Sequence, residues 1–500
     1  MRCLTLARTL RNRGATCHFI CREHPGDLVE RIRQDGFEVV SLPVPQNSDP
    51  SPVRRDKTSA ANEPFMGLDW RADADQTIAT LREHRTDWLI VDHYALDHRW
   101  ESQVRPYCSK IMVIDDLANR PHDCDLLLDQ NLIADKEYRY NKLLPANCAR
   151  LLGPRYALLQ RNYAELRSQT PPRSGPVQRI LVYFGGADNQ NLTGMAMAAF
   201  MALNRTDIAL DVVVNPASRY APILREQAQP HTNITLYDAL PSLAHLMVQA
   251  DLAIGAAGAT SWERCCLGLP ALVVTLAENQ IPIATELDRL RLARWLGDKN
   301  AVSALSLQYA LLDALSDEDP LFEWSTRCRA PVDGRGAERV AELLLLNSNT
   351  TLSARLACLD DELLLLTWAN DSVVRQNAFC SDPITPQIHR VWFYKRLRDQ
   401  ENCQIFILET VTGMPIGQVR FERSDDAWEI SYSLAAEVRG RGLGSRLLQS
   451  AILAFRKSRK DGLVFGRVKP GNLASRKVFE NLGFAASTAK GGEVVYRYSL

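Results

Sequence analysis

The chain has 500 residues with 59 basic and 59 acidic side chains, so its formal net charge is zero and no general field draws it to nucleic acid or an anionic membrane. A small-molecule partner is therefore the expectation, and the length points to about three domains. No apolar run approaches the ~18 residues a membrane helix needs and no signal segment opens the chain, which points away from membranes and to the cytoplasm.

The opening "MRCLTLARTLRNRG" reads as a helix with Leu4, Leu6 and Leu10 apolar, followed by a strand through Cys17, Phe19 and Cys21. Cys17 and Cys21 flank His18, but on a strand the two thiols share one face and His18 takes the other, so they do not converge on a metal. The twelve cysteines are scattered, with no Cys-x-x-Cys pair and no zinc spacing. Buried thiols and no metal are expected. Short apolar strands at 17–21, 38–42, 88–92, 110–115 and 126–128 alternate with helical stretches, the rhythm of a parallel sheet, while 44–63 is a Pro- and Ser-rich surface loop. Asp92, His93 and Tyr94 follow a strand, a common place for site residues in open sheets; His93 is alternatively held by Asp97 as plain structure. An α/β domain normally begins with a strand, and this one begins with a helix.

A Pro- and Ser-rich break, "SQTPPRSGP", separates a first domain, 1–168, from a second, 176–346, in which strand and helix again alternate. Here "YFGGADNQNLT" places Gly185 and Gly186 between a strand and a helix, either as an anion-binding turn or as a tight turn alone. The block 251–280 gives a strand, a small-residue turn through Gly255 and Gly258, a helix carrying Ser261 and Glu263, and a polar turn Glu278-Asn279-Gln280. Glu263 is placed to accept hydrogen bonds from ribose hydroxyls, or to favour the helix dipole as a first-turn carboxylate.

A polar linker, "NSNTT", leads to a third, mixed α/β domain at 352–500. In it Trp428, Ile430, Tyr432 and Leu434 alternate as a strand. The turn Arg439-Gly440-Arg441-Gly442-Leu443-Gly444 follows and runs into a long amphipathic helix. Successive amides at a helix start, with two arginines beside them, suit a pyrophosphate. A strand "GLVFGRV" and the segment "NLASRKVFENLGF" come next.

These motifs carry two resemblances. From Met1 to about Leu346, "MRCLTLA", "VDHYALD", "IDDLANRPHDCDLLLDQN", "LLGPRYALL", "YFGGADNQN" and the 251–280 block occur in order. Together they resemble the UDP-2,4-diacetamido-2,4,6-trideoxy-β-L-altropyranose hydrolases of pseudaminic acid biosynthesis, the route to flagellin glycosylation. The resemblance implies a glycosyltransferase-B-like pair of doubly wound Rossmann-type domains in which water takes the sugar and UDP leaves. It implies that Gly185, Gly186, Gly258, Ser261, Glu263, Asn279 and Gln280 hold the UDP-sugar, with Tyr94, His93 and Asn279 as catalytic candidates. In that family "MRC" continues a Gly-x-Gly-His-Val loop whose histidine activates water, so a start placed too late, and a gap in the first sheet, are expected.

The region 352–500 resembles the GNAT acetyltransferases. That resemblance implies acetyl-CoA as cosubstrate, bound by Arg439, Gly440, Arg441, Gly442, Leu443, Gly444 and Asn472. Many members carry a tyrosine where Phe479 stands, leaving water or Tyr496 as proton donor and Glu429 as a candidate base; an exposed strand glutamate is the plainer reading of Glu429. Trp368, Asn370, Arg375, His389 and Trp392 resemble the aminosugar-binding residues of the acetyltransferase in the same pathway, whose acceptor is a UDP-linked 4-amino sugar. Acetylation immediately precedes UDP removal in that route, so a fusion of the two is chemically sensible. A glycosyltransferase fused to an acetyltransferase, or an acetyltransferase with an inactive UDP-sugar-binding module, are the competing functions.

Overall fold

Nineteen strands fall into four hydrogen-bonded sheets in the computed structural model, which describes residues 1–24, 26–43, 70–136, 138–185, 188–238, 240–316, 321–459, 462–489 and 492–500. The 44–63 loop of the sequence reading lies outside these residues. Contacts divide the chain into two units, Met1–Ala341 and Glu342–Leu500.

In the first unit, strands β1 (His18–Arg22) and β2 (Glu38–Leu42) pair in parallel. Strands β3 (Thr86–Val91), β4 (Cys108–Ile114), β5 (Leu126–Asp129) and β6 (Ala149–Leu152) form a second parallel group in that order. Among the described residues no backbone pairing joins the two groups, so this sheet is interrupted. Side chains bridge the interruption: Ile20 packs into the cluster that holds Leu89 and Leu127, and His18 stacks on His84 at 5.0 Å. The opening helix, Arg2–Arg11, buries Leu4 and Ala7 against Phe37 and the face carrying Cys17, Phe19 and Cys21. His18, on the opposite face, meets Glu38 at 2.9 Å.

The six remaining strands of this unit are β7 (Arg179–Tyr183), β8 (Ala209–Val214), β9 (Ile234–Asp238), β10 (Leu252–Ala256), β11 (Ala271–Thr275) and β12 (Arg294–Asp298). They are all parallel, in the order β12-β11-β10-β7-β8-β9. Counted from β7 this is the doubly wound Rossmann order, and its ligand side is the carboxyl end of the strands. The strands read as unbroken apolar runs because helices cover both faces. Ile180 and Val182 face one core with Met197 and Phe200, and Leu181 faces the other with Trp262 and Leu287.

The second unit holds β13 (Leu352–Leu356), β14 (Cys403–Thr410), β15 (Pro415–Ser424), β16 (Ala427–Leu434), β17 (Leu463–Val468), β18 (Ala485–Thr488) and β19 (Val494–Ser499), in the order β13-β14-β15-β16-β17-β19-β18. Every pairing is antiparallel except β16 with β17. The helix Leu443–Phe455 lies on this sheet, with Phe455 stacked on Phe421 at 4.1 Å and edge-on to Trp428 at 5.1 Å. The two leucine runs lie in separate helices, Gly336–Leu345 and Glu362–Ala369.

Candidate functional site

Asp92 and Asp116 stand one and two residues beyond the ends of adjacent strands β3 and β4, on the side where open parallel sheets receive ligands. Arg2 reaches both. Its Nε and Nη2 donate to Asp92 at 3.0 and 2.6 Å, and its Nη1 lies 3.7 Å from Asp116 Oδ2. Burial works to raise the Asp92 carboxyl, but the Arg2 guanidinium outweighs it and holds the group below the usual range. Tyr94 Oη and Asn131 Nδ2 each donate to Asp116 Oδ2 at 3.3 Å, and Asp116 Oδ1 is buried without a hydrogen-bond partner. Asn131 Oδ1 in turn accepts from Trp262 Nε1 at 3.1 Å, tying this cluster to the second parallel sheet. Burial and then the Asp116 carboxylate push the Tyr94 hydroxyl up to about 12, so it is a proton donor at neutral pH.

His93 is half-buried beside this cluster. Its Nδ1 accepts from the Ala95 N–H at 3.1 Å, and burial lowers its basicity. The alternative in which Asp97 holds His93 is corrected: Asp97 caps the helix His98–Val104 through the Arg99 N–H at 2.9 Å and pairs with the Arg99 guanidinium. A carboxylate preceding a helix answers the nearest orphan amide, which the spacing to His93 did not reveal.

At the six-stranded sheet, Gly185 stands two residues beyond the end of β7 with φ +93°, a left-handed conformation with open space where a side chain would stand. Gly186 lies outside the described residues. Gly258 follows β10, whereas Gly255 is required by packing, since a Cβ there would meet the Tyr183 carbonyl oxygen at 2.3 Å. The Ser261 hydroxyl accepts from Arg264 Nη2 at 3.0 Å, and Gln280 Oε1 accepts from the Leu276 N–H at 2.9 Å, so both steady their own loops. Asn279 is exposed in the turn Glu278–Gln280. Glu263 lies on the helix Thr260–Cys266, and burial raises its carboxyl to about 7. The buried Tyr163 hydroxyl faces it without completing a hydrogen bond, so burial dominates. Among the described residues no group of three metal-ligating side chains converges.

In the second unit β16 and β17 pair only at Ala427–Glu429 with Leu463–Phe465 and then part. Beyond that point Gly417–Phe421 of β15 keeps hold of residues 430–434, and β19 keeps hold of 466–468. The opening leads to Gly440 at φ +71° and Gly442 at φ +72°, after which the helix Leu443–Phe455 begins with no side-chain cap. Gly444 lies under Val478, where a Cβ would sit 2.8 Å from a methyl. Arg439 donates to the Leu434 carbonyl at 3.0 Å and pairs with Asp371 at 2.7 Å, while Arg441 is buried and donates to the Leu343 carbonyl. Asn472 caps the helix Leu473–Asn481 by accepting from the Ser475 N–H at 3.1 Å.

The remaining residues singled out from the sequence sit as follows. Glu429 pairs with Arg467 at 2.8 Å, and the buried Tyr496 donates its hydroxyl to Glu480 at 2.8 Å. Asn370 clamps the Ile384 main chain through both ends of its amide at 2.8 Å, and Trp368 is buried. Arg375 donates to the Cys380 and Asp382 carbonyls, each at 3.3 Å. His389 is buried between Trp392 and Phe393 with neither ring nitrogen hydrogen-bonded, and Trp392 lies under Arg420 at 5.2 Å.

Residues 352–485 match the family model described as an acetyltransferase (GNAT) domain. The second unit carries a GNAT domain. The whole chain is 22% identical, over 517 aligned residues covering 100% of it and 96% of the relative, to an uncharacterized protein of Methanocaldococcus jannaschii. Over 211 residues, 42% of this chain and 74% of the relative, it is 26% identical to the UDP-2,4-diacetamido-2,4,6-trideoxy-β-L-altropyranose hydrolase of Campylobacter jejuni. Among solved structures, Acinetobacter baumannii MurG aligns with 69% of this chain and 94% of its own, at 13% identity and a TM-score of 0.47. Within the GNAT domain, sequence reading gave Tyr432 no role. Its signal was its place, between the buried Ile430 and the turn, on the stretch of β16 that has left β17.

Proposed function

We propose that this chain is a bifunctional enzyme acting in the cytoplasm. The GNAT domain transfers an acetyl group from acetyl-CoA to the 4-amino group of UDP-4-amino-4,6-dideoxy-β-L-AltNAc. The first unit then hydrolyses the resulting UDP-2,4-diacetamido-2,4,6-trideoxy-β-L-altropyranose to free sugar and UDP. The observation that carries the reading is the opening between β16 and β17 beside the turn Gly440–Gly444: main-chain edges that have lost their partner can pair with the amides of a pantetheine arm, and the uncapped amides suit its pyrophosphate. Arg439, Arg441 and Leu343 hold the turn in shape, and Asn472 starts the helix on the far side. Trp368, Asn370, Arg375, His389 and Trp392 shape the wall nearest the aminosugar, and Glu429 is the candidate base for its amine.

In the first unit, Glu263 holds the ribose, the turns at Gly185 and Gly258 hold the phosphates, and Ser261, Gln280 and the exposed Asn279 complete the nucleotide side. Tyr94 and Asp116 face the sugar, where a diphosphate leaving group needs donors and water needs a base. His93 is the further candidate for the base.

The test supplies the full chain with the UDP-4-amino sugar and acetyl-CoA and follows CoA thiol, the acetylated UDP-sugar and UDP. Thiol and UDP both released, with free diacetamido sugar, is the expected result. Thiol without UDP reduces the first unit to a binding module, and sugar found on an added acceptor makes it a transferase.

A further inference from the structure

We infer that Tyr432 is the general acid that protonates the CoA thiolate as it leaves. The inference rests on the acetyl-CoA reading of the second unit. Aminolysis of a thioester forms the N–C bond and breaks the C–S bond, and the sulfur departs with the electron pair. Tyr432 borders the opening with a hydroxyl that can give that sulfur a proton. It stands on β16 three residues past the last pairing with β17, with its ring edge-on to Phe479 at 5.9 Å. Its hydroxyl crosses to the helix Leu473–Asn481 and meets the Ser475 hydroxyl at 2.8 Å. It therefore spans the gap that the parting strands open.

The neighbours on the same side do not compete. Phe479 has no proton to give, and its ring covers Gly466 so closely that a Cβ there would meet it at 2.3 Å. Tyr496 stacks on Phe479 at 5.1 Å with its hydroxyl engaged by Glu480. Burial pushes the Tyr432 hydroxyl up to about 12, so it stays protonated through the working range and acts as an acid. The proton balance closes through Ser475. The attacking amine loses one proton to solvent and the sulfur takes one from Tyr432 Oη; the tyrosine is then reprotonated through the Ser475 hydroxyl, which hands on its own proton and takes one from solvent in exchange. The products are the amide and the neutral thiol.

The test is Tyr432→Phe in the full chain, which keeps the ring against Phe479. Turnover is measured with acetyl-CoA and the UDP-4-amino sugar, CoA affinity by calorimetry, and folding by the melting temperature. The expected result is a fall in kcat of about 100-fold or more, in the range of general acid catalysis, with the KM for acetyl-CoA, the CoA Kd and the melting temperature changed less than about threefold, threefold and 2 °C. A kcat within threefold of wild type overturns the inference, as does a loss of CoA affinity or melting temperature that accounts for the fall in rate. Wild-type protein that binds no CoA overturns the acetyl-CoA reading itself, and the inference with it; wild-type turnover with an unaffected Tyr432→Phe overturns the inference alone.

Discussion

The strand ends of the first unit and the glycine turn of the GNAT domain differ in what they are made of. At the first, charged and polar side chains hold one another: Arg2 with Asp92, Tyr94 and Asn131 with Asp116, and Glu263 buried by its surroundings. At the second, a helix start without a side-chain cap offers main-chain amides, and the side chains nearby, Arg439 and Arg441, are turned back to brace the backbone. A site of main chain fails when atoms are added to it. A site of side chains fails when a charge is removed or titrated, and so responds to pH.

Four changes break or sharpen that contrast. The largest effect is expected from Gly442→Glu, which forces a side chain into a left-handed conformation 3.2 Å from Ser348 and sets a carboxylate at the helix start. CoA affinity by calorimetry falls at least about 100-fold, in proportion to a few kcal/mol of lost anion binding, while circular dichroism is unchanged. Next, Arg2→Ala leaves the solvent-accessible Asp92 without its bidentate counter-ion. Urea denaturation of the first unit shows a loss of about 1 kcal/mol, and Asp92→Asn introduced into Arg2→Ala restores part of it.

Glu263→Gln tests both function and pH response. Removing a charged acceptor weakens UDP binding about tenfold at pH 8. In wild type the affinity for UDP climbs as pH passes about 7 and the carboxylate forms; in the variant it is flat. The sign for stability is opposite. The folded state holds a proton that the unfolded chain, with the ordinary value of 4.5, has released. This contribution is full below about 4.5 and is lost as pH rises through about 7. Urea midpoints from pH 4.5 to 7.5 decline more steeply for wild type than for Glu263→Gln. The smallest effect belongs to Asn472→Ala, which removes the cap of the helix Leu473–Asn481 at about 1 kcal/mol. A loss of CoA affinity beyond threefold in that variant would show that the asparagine also touches the cofactor.

The apolar runs 180–182, 210–214, 252–254 and 271–274 are legible as buried parallel strands because both of their faces are covered. Strands β6 and β12 were not: "ARLL" is four residues long, and "RWLGD" carries charge at both ends and a glycine within, so neither has a period to read. Glycine turns are equally legible, since the conformation they need is local. The acidic cluster was not, because Arg2 and Asp92 lie 90 positions apart and Asn131 meets Trp262 across 131.

By itself the sequence determined what depends on near neighbours: the alternation of strand and helix, the turn at Arg439–Gly444 and the face shared by Cys17, Phe19 and Cys21. Periodicity, turn chemistry and capping act over a few residues, and a linear reading contains them. Tertiary structure alone decided which groups meet. It left the first parallel sheet in two pieces, gave Asp97 to Arg99 in place of His93, buried Glu263 until its carboxyl favours the proton, and parted β16 from β17 so that the Tyr432 hydroxyl reaches Ser475. Burial and charge pairing are properties of a surrounding shell, and the residues of that shell come from distant parts of the chain.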